Sequence, residues 1–190
     1  MSAHGIPIAD LAELRALVGD PLPEIRDKAI TVVDEGSRRF LEASTFYLFA
    51  TTGADGTVDV SPRGDPAGSV RVLDERTVAF ADRPGNRRLD SFRNVLERPR
   101  TGMLFLVAGR QEVLRVNGSA TLVRDAPFLR DAGGSGLGVV LAVEELFLHC
   151  GQALRRSSLW DPSGWPAEDL VPSMADLVVS QKRHRRSGPS

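Results

Sequence analysis

The chain carries a single cysteine, Cys150, in 190 residues, so no internal disulfide can form and a reducing compartment is expected. Net charge is nearly absent: the formal value of -1 removes any overall electrostatic case for nucleic acid and leaves only local clusters. Aromatics are few, at 6%, with one tyrosine, which argues against a stacking platform for single strands. Long hydrophobic runs are missing. The longest, around residues 137–143, is far too short to span a bilayer. Residues 1–10 have neither a basic nor an apolar leader segment, so the cytoplasm is the expected location. His4, His149 and His184 are scattered without metal-ligand spacing. Gly-x-Ser-x-Gly, Walker and Gly-x-Gly-x-x-Gly motifs are all missing.

What is present is an ordinary globular composition, 42% hydrophobic and 26% charged, at a length typical of one domain. Ile8, Leu11, Leu14 and Leu17 recur every three residues until Asp20-Pro21 breaks the pattern, which predicts a first helix. A second is predicted over 24–41, with Ile25, Ala29, Val32 or Val33, and Phe40 facing inward. The texture then changes. Residues 46–52 and 57–61 flank Asp55-Gly56 and predict a β-hairpin. Short strands follow over 69–73 and 77–81, then a helix over 86–96 with Leu89, Phe92 and Leu96 on one face. The apolar run 102–107 predicts a strand buried on both sides. Leu114, Val116, Gly118, Ala120 and Leu122 alternate with polar residues and predict a half-buried strand. A glycine-rich stretch over 133–138 leads into a last apolar strand ending near Leu148, and 150–157 reads as helical.

Six or seven short strands with one helix among them describe an antiparallel barrel; a doubly wound sheet needs a helix between most strands. The expected organisation is a helical arm over 1–45, a barrel over 46–180, and a basic, disordered tail over 181–190.

Two segments can carry chemistry. Arg83-Pro84-Gly85-Asn86-Arg87-Arg88-Leu89-Asp90 places Asn86 as an N-cap, with Arg87 and Arg88 in the first helical turn. A helix N-terminus already carries partial positive charge, so this is the unfavourable end for cations. Either Asp90 offsets a solvated surface helix, or the arginines and free N–H groups converge on an anion. Ser61-Pro62-Arg63-Gly64-Asp65 gathers a hydroxyl, a guanidinium and a carboxylate at a strand end. It is either a polar turn or a second wall of the same site at the barrel rim. His149-Cys150 is no nucleophile pair, because neighbours on a strand face opposite ways, and Cys150 is expected to be a packed small hydrophobe.

Taken together, these segments resemble the flavin-binding core of the pyridoxamine 5'-phosphate oxidase-like superfamily, an FMN-binding split β-barrel. The resemblance runs over 46–123. It is closest to a bacterial subgroup marked by Asp59-Val60-Ser61-Pro62-Arg63-Gly64-Asp65-Pro66, Asp82-Arg83-Pro84-Gly85-Asn86-Arg87-Arg88 and Leu114-Arg115-Val116-Asn117-Gly118. It extends more loosely to His149-Cys150 and to the segment from Arg155 to Trp160-Asp161-Pro162.

The resemblance implies a homodimer with FMN in a groove between two barrels and a phosphate held by basic residues. Arg63 matches the strand arginine of the family, and Asn86, Arg87 and Arg88 match its serine-arginine-lysine element. Asp82 stands where the oxidase has a small hydroxyl residue, and Ser61 is a further phosphate or ribityl contact. There are departures. The oxidase's arginine-leucine-histidine signature is missing, Val113 replaces its glutamine, and Gln152 stands where the subgroup has lysine after the His-Cys pair. The implied activity is an FMN-dependent oxidoreductase with an unknown small-molecule substrate, not a true pyridoxamine 5'-phosphate oxidase. The alternative is a non-catalytic flavin, F420 or haem binder on the same barrel. A nucleic-acid reading would use Arg63, Arg71, Arg83, Arg87 and Arg88, against the neutral charge.

Overall fold

Residues 46–64 form the hairpin that their sequence dictates. Asp55 accepts hydrogen bonds from the Thr57 backbone (3.0 Å) and hydroxyl (2.7 Å), and Gly56 takes a φ of 87° that favours glycine. This turn joins β1 (Phe46–Thr52) to β2 (Val58–Gly64), with Thr52 opposite Val58. The structure is a computed structural model that describes residues 5–186, and His4 lies outside them. Further strands are β3 (Arg71–Asp74), β4 (Thr77–Ala81), β5 (Arg100–Leu106), β6 (Val113–Arg124) and β7 (Leu137–His149). They make one seven-stranded antiparallel sheet in the order β2-β1-β5-β6-β7-β4-β3.

Three strands separate β1 from β4 in that order, yet Tyr47 and Phe49 of β1 both pack edge-on against Phe80 of β4, with centroids 5.4 Å apart. The sheet therefore curls around a common core that includes Phe49, Phe80, Phe105, Met103 and Leu141. The edges β2 and β3 do not pair, so the barrel is split. This is the mainly β split barrel with flanking helices that the strand count predicts.

The alternation in β6 is as read, with Leu114, Val116, Gly118 and Ala120 buried. Gly118 sits at a register shift between β6 and β7, where an added Cβ would lie 2.0 Å from the Ala142 carbonyl oxygen. In β5, however, residues alternate between buried and half-buried, so the run is not enclosed on both sides within one chain. Gly102, Leu104 and Leu106 carry the open face.

The helices differ more. The first is α1 (Leu11–Val18). The stretch expected as one helix over 24–41 divides into α2 (Pro23–Arg26) and α3 (Glu35–Ala43). Between them the backbone is used by the sheet: Ile30 bridges to Leu146, and the Val33 N–H donates to the Glu75 carbonyl (2.7 Å). Asp34 then caps α3 by accepting from the Ser37 N–H at 2.7 Å. Val33 and Leu41 are buried, whereas Ile25 is exposed.

The helix predicted over 86–96 is α4 (Asp90–Glu97), which begins four residues later. Its inner face is Ser91, Phe92, Asn94 and Val95; Leu89 and Leu96 are exposed. Asn94 donates from Nδ2 to Thr51 Oγ1 (3.0 Å) and Asp59 Oδ2 (2.7 Å), pinning α4 to the first hairpin. Helix α5 (Gln152–Arg156) follows the sheet, and Cys150, just before it, is exposed rather than packed. It has left the alternating strand, so no inner face receives it.

The last described element is α6 (Met174–Arg186), which occupies part of the segment expected as a disordered tail. A reciprocal capping box starts it: the Ser173 N–H donates to Asp176 Oδ2 (3.0 Å) and the Asp176 N–H to Ser173 Oγ (3.2 Å). The rest of that tail, 187–190, lies outside the described residues. Among the described residues no helix is long and apolar enough to cross a membrane.

Candidate functional site

Along β2 the side chains of Asp59, Ser61 and Arg63, with Asp65 beyond its end, are half-buried, while their neighbours Val60, Pro62 and Gly64 are exposed. An edge strand thus aims a row of polar groups at the barrel's end. Asp59 is taken by Asn94 and Asp65 by Arg83, whose Nε donates at 2.6 Å. Ser61 and Arg63 remain for the space between them.

That space is a cavity of about 540 Å³, within the usual range for small-molecule sites. Ser61, Arg63, Asp82, Asn86, Arg87 and Arg88 all line it. The structure therefore places these six sequence-nominated residues around one cavity. Its walls are β2, the segment 82–92 running from β4 into α4, and Ser135 and Leu137 at the entry to β7.

The local backbone corrects how the arginines reach the cavity. Asn86 does not cap a helix. Its Oδ1 accepts from the Arg88 N–H (3.0 Å), a turn of the side chain onto its own backbone, and the chain passes through two left-handed residues before α4. These are Arg87 (φ 62°) and Leu89 (φ 57°). Arg87 and Arg88 thus precede the helix instead of forming its first turn. The conflict of cations with the helix dipole is relieved by one turn of loop, and Asp90 takes the favourable first position.

Two of the cavity's guanidinium groups are already engaged. Arg83 bridges Asp65 to the carbonyls of Ala132 and Gly133, and Arg88 Nε donates to Asp90 Oδ2 at 2.7 Å. Arg87 has no hydrogen-bond or ion-pair partner among the described residues. Arg63 lies with its Cζ 5.3 Å from the Phe92 ring centroid and Nη1 3.6 Å from Asp82 Oδ1, a long contact. Its Nε is buried without a hydrogen-bond partner. A buried donor left unmade is costly, and a ligand acceptor here would repay it. Asp82 is 6% exposed and accepts from Ser135 Oγ at 2.7 Å. With Arg63, Arg83, Arg87 and Arg88 against Asp82 and Asp90, the lining has an excess of positive charge suited to an anion.

Ser135 and the bridging role of Arg83 were missed in the sequence. Ser135 meets Asp82 across 53 positions, a separation that periodicity does not register. One signal was available: Gly134 (φ 133°) sits where a Cβ would lie 2.3 Å from the Asp82 carbonyl oxygen, so the glycine-rich stretch is shaped to press on the site.

Other nominated residues lie elsewhere. His149, at the end of β7, packs against Phe147 with centroids 4.8 Å apart and does not line the cavity. Burial holds its pKa below the ordinary value, with Arg115 and Lys28 acting in the same direction and Glu145 opposing. Among the described residues no cluster of three His, Cys, Asp or Glu is placed to hold a metal.

Residues 33–139 match the family model for pyridoxamine 5'-phosphate oxidase, more than half of the chain and the whole of the cavity lining. The chain belongs to this family. No curated protein matches its sequence. Its fold is similar to that of a single-site variant of HupZ from Group A Streptococcus, at 17% identity and a TM-score of 0.50, covering 62% of this chain and 99% of that one. A putative pyridoxamine 5'-phosphate oxidase from Lactobacillus delbrueckii is 20% identical over 62% of this chain and 95% of that one (TM-score 0.49). An FMN-binding protein from Syntrophomonas wolfei is 9% identical over 58% and 82% (TM-score 0.44). At these identities the likeness concerns the fold.

Proposed function

We propose that this family member is an FMN-binding flavoprotein, a cytoplasmic homodimer that acts as an FMN-dependent oxidoreductase on a small molecule. The observation that carries this reading is Arg63. Its buried, unpartnered Nε lines the same cavity as an unpaired Arg87 and a loop of backbone shaped by Asn86. This donor set fits the phosphate of FMN. Arg63, Arg87 and Arg88 hold its oxygens through charge-assisted bonds, Arg88 while keeping Asp90 as its second partner. Asn86 acts by fixing the loop that presents both arginines. Ser61 would supply a hydroxyl to the phosphate or ribityl chain, and Asp82, held by Ser135, an acceptor in the same cavity. The flavin ring supplies the redox chemistry; the chain binds, orients and desolvates.

Purified protein tests this. A flavin spectrum, with FMN as the released cofactor, is the expected result. Protein that releases F420 or haem, or that takes up none of the three, would overturn the assignment. Reduction of the bound flavin by candidate donors then separates an oxidoreductase from a carrier.

A further inference from the structure

We propose that the two terminal helices are a clasp between copies of this chain: α1 of one protomer packs against α6 of a second copy, and the reverse. The proposal rests on the homodimer put forward above and adds what joins it outside the barrels. Helix α1 buries none of its residues, and its apolar positions Leu11, Leu14, Leu17 and Val18 are 39–72% exposed. Every α6 residue through His184 is exposed, with Met174, Leu177, Val178 and Val179 at 36–83%. Neither helix makes more than a marginal contact with another element of its own chain.

Both helices are nevertheless specified by their sequence. Asp10 caps α1, accepting from the Glu13 N–H at 2.8 Å, and Ser173 with Asp176 caps α6. Helices of 8 and 13 residues are marginal in water without a packing partner, so such caps make sense where a partner is supplied. Apolar faces of this kind, rimmed by charge, mark interaction surfaces.

Charge says which partner. Over residues 1–45 the N-terminal arm carries eight acidic residues, Asp10, Glu13 and Asp20 among them, against five basic ones. Helix α6 carries Lys182, Arg183, Arg185 and Arg186 against Asp176. The chain as a whole is almost neutral, so its two ends are segregated into an acidic and a basic arm that complement each other. A two-fold arrangement satisfies both arms twice and closes the assembly.

The chain has only two lysines, Lys28 and Lys182, which makes the test specific. The full-length protein is treated with a carbodiimide, which joins a lysine to a neighbouring carboxylate, and is separated on a denaturing gel. The expected product runs at dimer mass and contains a peptide pair joining Lys182 to Asp10, Glu13 or Asp20. Lys182→Arg abolishes it. Leu14→Glu with Leu17→Glu also abolishes it and raises the dimer dissociation constant at least tenfold in sedimentation, with the far-UV spectrum of the barrel retained. A dimer that yields no such link, or a link confined to the monomer band, overturns the clasp alone. A protein that sediments as a monomer overturns the homodimer as well.

Discussion

Arg87 shows what one residue costs and supplies. Its left-handed φ of 62° is unfavourable for any side chain by roughly 1–2 kcal/mol. A glycine would remove that strain, so the guanidinium is what the position keeps. Arg87→Gly is therefore expected to leave the melting temperature unchanged or higher while FMN binding weakens. A fall in both would mean that Arg87 is structural. Tyr47 offers a second test at this scale. It is the only tyrosine, and burial pushes its phenol well above the ordinary value, with the Arg63 charge opposing. The folded-state pKa is raised, so this stabilisation is complete below about pH 10, the unfolded value, and is lost as pH rises beyond it. Tyrosinate absorbance is expected to appear together with the loss of near-UV dichroism. Ionisation in a still-folded protein would contradict the burial. That Ser61 and Arg63 offer polar groups at one strand end was legible at this scale because residue chemistry is local; the bond from Ser135 to Asp82 was not.

Among the elements, strands were read more accurately than helices. Period-two alternation is a property of neighbouring residues, so β6 and the hairpin turn at Asp55-Gly56 stood out in the sequence. Helix α4 was misplaced for two physical reasons. Asn86 folds back on its own backbone, which delays the helix, and two of its inner positions, Ser91 and Asn94, are polar, so apolar spacing pointed to the wrong face. Asn94 is 1% exposed and holds Thr51 and Asp59. Asn94→Ala is expected to cost about 2–3 kcal/mol, read as a lower denaturation midpoint at unchanged slope. A change under about 0.5 kcal/mol, the usual range for a surface substitution, would show that α4 is held by Phe92 and Val95 instead. Gly118→Ala is expected to be worse tolerated. Its Cβ meets backbone of β7, not a side chain that can swing away, and the β6–β7 register must shift. Unchanged stability would mean that the bulge absorbs the methyl group.

On the scale of the whole molecule, barrel closure follows from contacts such as Tyr47 with Phe80, which no local pattern announces; the strand count was legible, the strand order was not. The cavity exists only because closure brings β2, the loop before α4 and the entry to β7 to one rim. Its residues were found from their motifs and family resemblance, while the loop geometry that presents them came from the structure. The central claim is that this rim holds the phosphate of FMN. Charge-assisted bonds contribute about 1.5–3 kcal/mol each, discounted for Arg88, which is 71% exposed and already paired with Asp90. At about 1.4 kcal/mol per factor of ten, Arg87→Ala with Arg88→Ala should weaken FMN binding by about two orders of magnitude. The decisive measurement is a parallel titration of parent and double variant with FMN and with riboflavin, which lacks the phosphate. The account predicts a loss of roughly 100-fold for FMN and little change for riboflavin; equal affinity of the two proteins for FMN would contradict it.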